Sequence, residues 1–96
     1  MKMHELLVYR RHWTQGTLAR EVDGTPCTYR SESACCWCLT GALRKCYPVF
    51  WGAALVEQTL LKYISKNYVA MDIAGWNDDP SRTFDQVREM LVELDV

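Results

Sequence analysis

Four stretches of the chain repeat apolar side chains at steps of three and four, and each repeat predicts a helix. The last is the clearest: Phe84, Val87, Met90/Leu91 and Leu94 share one face. Thr83 followed three residues later by Gln86 makes a capping box, and Asp85 suits the positive end of the helix dipole. Over residues 49–67, the longest predicted helix, Trp51, Ala54, Leu55, Leu61 and Ile64/Ser65 fall on one side, with Glu57, Lys62 and Lys66 elsewhere. Residues 34–46 carry Cys35, Cys38, Leu39, Ala42, Leu43 and Cys46 on a continuous apolar face, with Ser31 or Ser33 as the cap. Gly41 costs that helix about 1 kcal/mol relative to Ala, so it should serve close approach of another element. Pro48 ends this helix and can open the next. Residues 3–13 read as a first helix through Met3, Leu6, Leu7 and Arg10/Arg11, stopped by Gly16.

Between the first two helices the period changes. Leu18, Arg20 and Val22 alternate with Ala19 and Glu21, and Asp23-Gly24 follows, a strong hairpin signal. Pro26 confines the second arm to an edge. The alternative for this segment is a loop with one helical turn at 17–22. Residues 67–79, with Tyr68, Val69, Met71 and Ile73, read as a packed connection holding a short extended or single-turn piece. The expected architecture is mostly α (α+β): one compact four-helix domain over 1–96, with a small β-hairpin after the first helix.

Composition agrees with a globular chain, at 49% hydrophobic and 24% charged residues. Four Trp, five Tyr and two Phe supply large apolar side chains that offset the small size. No apolar run approaches the roughly 18 residues of a membrane span, and residues 1–5 lack the look of a secretory signal. A cytoplasmic location with reduced thiols is therefore expected, and the odd count of five Cys points the same way. The net charge of −1 hides an asymmetry: residues 1–48 carry seven Lys/Arg against four Asp/Glu, residues 49–96 four against eight. A dipole of that size can steer association but does not argue for nucleic acid as partner.

Candidate chemistry is sparse. Cys35 and Cys38 have the spacing of a zinc pair, but a second pair is missing, and their place on the apolar face reads as core thiols. Cys38 next to Trp37 near a helix start invites a thiol nucleophile, yet His4 and His12 precede it in an ordinary helix and no orienting group is evident. Neither a metal nor a cofactor is expected. Trp76 through Thr83 is the more informative stretch: Asn77 and Asp78 suit an Asx turn, Pro80 fixes the approach to the last helix, and Arg82 can pair with Asp78 or Asp79 or face an anion. A rigid structural corner is the leading reading there. Arg10, Arg11 and Arg20 with Tyr9 and Trp13 make the best basic-aromatic group, a faint nucleic-acid or nucleotide footprint of a kind that ordinary helix surfaces also show.

Two strings, Trp37-Cys38-Leu39-Thr40-Gly41-Ala42-Leu43 and Trp76-Asn77-Asp78-Asp79-Pro80-Ser81-Arg82-Thr83, resemble the signatures of a small domain family of unknown function in bacteria and tailed phages, W-C-x-x-G-A-L and W-N-D-x-P-x-R-T. The likeness also takes in residues 13–20, Asp23-Gly24, Ala34 and Val87, whereas the doubled Cys35-Cys36 is no part of it. It implies a phage or prophage accessory protein, non-enzymatic, that binds a host protein such as a defence component. The alternative is a binder of a small nucleotide-like anion, and the third reading a small enzyme using Cys38 or Asp78. Trp76, Asp78, Arg82, Arg20 and Trp13 are the candidate binding residues. The oligomeric state is left open.

Overall fold

The computed structural model describes residues 1–47 and 52–96. Among them are five α-helices, a turn of 3-10 helix and a three-stranded antiparallel sheet, where four helices and a hairpin were expected. The helices are α1 (Met3–Leu6), α2 (Leu39–Cys46), α3 (Ala53–Asn67), α4 (Ile73–Asp78) and α5 (Phe84–Leu94); the strands are β1 (Ala19–Glu21), β2 (Pro26–Cys27) and β3 (Ala34–Trp37).

The predicted helix over 3–13 is instead broken. After α1 the chain leaves helical geometry at Leu7, and only Arg10–His12 resumes as a 3-10 turn before extended Trp13. Tertiary contacts explain the stop: the Arg88 guanidinium, from α5, donates to the carbonyls of His4 and Leu7. It thereby satisfies oxygens that a longer helix would have used internally. Met3 and Leu7 are fully buried, while Val8 and Tyr9 are exposed.

The hairpin forms around Asp23-Gly24, with Gly24 at φ +92° and Asp23 Oδ1 accepting from the Thr25 amide. Pro26 lies on an edge strand, since the sheet order is β2-β1-β3. The third strand is a correction: residues 34–37 pair with β1, Ala19 opposite Trp37 and Arg20 opposite Cys36, with a bulge between Arg20 and Glu21. The run from Ala34 to Leu39 is apolar on all sides, so its period is ambiguous, and the open edge of β1 decides the outcome. Helix α2 consequently begins at Leu39, where the Cys38 thiol sulfur accepts from the Gly41 amide at 3.3 Å, and neither Ser31 nor Ser33 caps it.

Gly41 does serve close approach. A Cβ there would lie 2.1 Å from the Leu18 carbonyl oxygen, which already accepts from the Cys38 amide. Helix α3 buries Ile64 and packs Leu61 against the core as predicted, but Leu60 is buried too and Ala54 and Leu55 face outward, so the inner face departs from the predicted one in the first turns. The predicted roles of Pro48 and Trp51 lie outside the described residues. Helix α5 matches its reading: Thr83 and Gln86 form the capping box, and Val87, Met90 and Leu91 are buried. One cluster of buried side chains, drawn from all five helices, β1 and β3, forms the core, with Trp76 the largest fully buried member.

Candidate functional site

Helix α4 is short and starts on its own cap, Asp72 Oδ1 accepting from the Gly75 amide. Its last turn delivers Trp76, Asn77 and Asp78 to a corner where the loop after the 3-10 turn, the start of α2 and the start of α5 meet. Asn77 is 1% exposed and uses its whole amide. Its Oδ1 accepts from the Trp13 indole Nε1 at 2.8 Å and the Leu39 amide at 3.1 Å. Its Nδ2 donates to the Thr14 carbonyl at 3.2 Å and Asp78 Oδ1 at 2.8 Å. Burying an amide is tolerable only with such partners.

Neighbouring groups complete the frame. Gln15 Nε2 donates to the carbonyls of Asn77 and Asp79 at the end of α4, the latter also accepting from the Arg82 amide, and the Gly16 amide donates to Asp78 Oδ1. Arg20 joins this loop to the hairpin through three neutral oxygens: Thr14 Oγ1, Gly24 O and Gln15 O. The Asx turn sits one residue later than expected, because Asp79 Oδ1 accepts from the amide and hydroxyl of Ser81. Those two bonds, with a smaller contribution from the Arg82 charge, hold the Asp79 carboxyl below its ordinary pKa.

Arg82 forms no ion pair with Asp78 or Asp79; the ion pairs among the described residues join Asp95 to Lys2 and His4. Its guanidinium instead donates to the Trp76 carbonyl at 2.9 Å and Gln86 Oε1 at 3.1 Å. It also lies over the rings of Trp76, at 4.1 Å, and Tyr68, at 4.6 Å. A planar cation against two aromatic faces needs no carboxylate to be stabilised.

The structure thus brings Trp13, Arg20, Trp76, Asp78 and Arg82 into one connected frame. Sequence reading missed the frame's centre, Asn77, and its brace, Gln15. The one available signal was a lone amide beside an apolar Trp at the end of a helix. A family model for DUF6197, described as a family of unknown function, matches residues 1–94. The chain belongs to that family. No curated protein and no solved structure matches it. The whole frame, from Trp13 to Gln86, lies inside the span that defines membership in DUF6197.

Beside the frame an open cleft of about 510 Å³ is lined by Arg10, Arg11, Trp13, Thr14 and Gln15. Arg10 and Arg11 are exposed. The Arg11 guanidinium lies 4.6 Å from the Tyr9 ring centre, and Phe84 packs at 6.4 Å from Trp13.

The thiols differ from expectation in their burial. Cys36 and Cys38 are buried, while Cys27, Cys35 and Cys46 are part-exposed, and all five are free. Burial pushes the Cys38 thiol up, against the opposing pull of the Gly41 and Thr40 amides. A nucleophile requires the reverse shift. His12 Nδ1 accepts from the Tyr9 amide, and His4 Nε2 meets Asp95, so both imidazoles have local partners. Desolvation, then the Arg11 charge, lowers the His12 pKa. No group of three His, Cys, Asp or Glu able to hold a metal occurs among the described residues. Nor is any helix among them long and apolar enough to cross a membrane.

Proposed function

We propose that this protein is a small non-enzymatic accessory protein of phage or prophage type, working in the host cytoplasm by binding a host protein such as a defence component. The observation that carries this reading is the exposure of Val69 and Met71, at 105% and 98%, beside a corner in which Asn77, Asp78 and Arg82 are engaged in holding the fold. Val69 and Met71 lie two residues apart in the connection between α3 and α4 and stand clear of the core, where a partner can cover them. The W-C-x-x-G-A-L and W-N-D-x-P-x-R-T strings, and the phage setting that their resemblance implies, belong to the same reading. Its test is quantitative capture from host lysate with tagged wild-type protein and a Val69→Asp, Met71→Asp variant. A host protein retained by wild type and lost from the equally stable variant is the expected result. Identical capture by both, or none, would remove the reading.

A second reading, a binder of a small nucleotide-like anion, is favoured by the Arg10–Gln15 cleft. Arg20 and Arg82, the residues first considered for that task, already hold neutral oxygens inside the frame. Arg10 and Arg11 carry the reading instead.

A further inference from the structure

We propose that the cleft lined by Arg10, Arg11, Trp13, Thr14 and Gln15 is a mononucleotide site, in which the base lies against the Trp13 indole and the phosphate is held by Arg10 and Arg11. This rests on the anion-binding reading and gives it a ligand class and an orientation.

The break in the N-terminal helix creates the site. Tyr9 is extended, Arg10–His12 form a 3-10 turn, and Trp13 is extended again at φ −112° and ψ 142°. The two arginines thereby reach the same cleft as the indole that follows them. Neither side chain takes part in an ion pair or a side-chain hydrogen bond among the described residues. Two adjacent guanidinium forks, neither paired with a carboxylate and one resting on the Tyr9 ring, match the geometry and charge of a phosphate.

The indole is held still before any ligand arrives. Its Nε1–H donates to the buried Asn77, and the Asn77 side chain is itself fixed by the Leu39 amide and the Thr14 carbonyl. Phe84 packs against the ring from α5. A fixed aromatic platform stacks a base with little ordering entropy to lose. Gln15, on the same cleft, is locked by two carbonyls, so the floor is rigid at both ends.

Size and charge select a mononucleotide over a strand. The open cleft, about 510 Å³, lies within the size range of small-ligand sites. A strand-binding face needs a track of cations along successive phosphates, whereas this cleft is lined by two, Arg10 and Arg11.

The test is NMR titration of the labelled protein with adenosine 5′-monophosphate, adenosine, inorganic phosphate and a five-residue thymidine strand. Saturable binding of the monophosphate, shifting the Trp13 indole N–H signal, is expected. Arg10→Ala, Arg11→Ala should weaken it at least tenfold while leaving the melting temperature in place, since both residues are exposed. Saturation by inorganic phosphate with equal affinity, and no movement of the Trp13 signal, would overturn the nucleotide assignment while leaving an anion site. Failure of both the monophosphate and phosphate to bind would overturn the anion reading as well. A more than tenfold preference for the strand would overturn the mononucleotide in favour of a nucleic-acid face.

Discussion

The Trp13 indole donates to the buried side-chain oxygen of Asn77 across 64 residues of sequence, and this bond ties the N-terminal loop to the end of α4. The same oxygen accepts the Leu39 amide at the start of α2. One amide therefore fixes the relative placement of three segments that have no regular secondary structure in common.

Asn77→Ala should be among the most damaging single changes in the protein. It strands the Trp13 Nε1–H and the Leu39 amide, and each buried donor left alone costs about 1–3 kcal/mol. Urea denaturation should show a loss of roughly 2–5 kcal/mol. Trp13→Phe removes one donor only, and the double-mutant cycle should give a coupling of roughly 0.5–3 kcal/mol. Strict additivity would mean that the bond contributes nothing.

Gly41→Ala would ordinarily favour a helix by about 1 kcal/mol. Here it should destabilise by about 1–3 kcal/mol, as overpacking does, because the new methyl meets the Leu18 carbonyl and backbone has to move. A thermal melt of the variant decides the matter. A raised midpoint would show that the contact between α2 and the loop before β1 is looser than described.

Arg82→Ala should lower stability by about 1–3 kcal/mol through lost hydrogen bonds to the Trp76 carbonyl and Gln86. Both acceptors are neutral, so the loss should be nearly the same at low and high salt. A loss that vanishes in 1 M NaCl would point instead to an Arg82–carboxylate pair. Arg82→Lys should recover only part of the stability, as an ammonium lacks the planar fork.

Cys38→Ala should cost about 1 kcal/mol by removing the cap of α2, and Cys38→Ser should recover most of it because an oxygen can accept from the same amide.

Burial raises the Cys36, Cys38 and Cys46 thiols above their ordinary value of 9.0. The folded state then binds more protons than the unfolded state once the pH passes that value, so stability falls as pH rises. The decline should begin near pH 9 and steepen by at most about 1.4 kcal/mol per pH unit for each thiol. Chemical denaturation at pH 7 to 10.5 measures it, and Cys38→Ser should flatten the slope. A stability that rises over this range would contradict the upward shift of these thiols.

Local rules were enough for several elements. The capping box of Thr83 and Gln86 and the buried stripe of α5 involve residues within one or two turns of each other, and the structure keeps them as read. Asp23-Gly24 makes its turn through a positive φ at Gly24, and Pro26, lacking an N–H, sits at the sheet edge. Gly41 announced a close contact without naming its partner, which proved to be Leu18.

Long-range contacts decided the rest. Arg88 ends α1 from across the molecule, the edge of β1 draws residues 34–37 out of a helix, and Arg82 prefers two aromatic faces to the acids beside it in sequence. Asn77 is polar, short and next to two aspartates, so by itself it reads as a turn residue; burial among partners 38 to 64 residues away makes it the centre of the frame. Sequence by itself determined where backbone geometry and helical spacing are satisfied by near neighbours. Tertiary structure alone decided which side chains satisfy the polar groups left at the ends of those elements, because a buried donor or acceptor must be matched by whichever group the fold brings within reach.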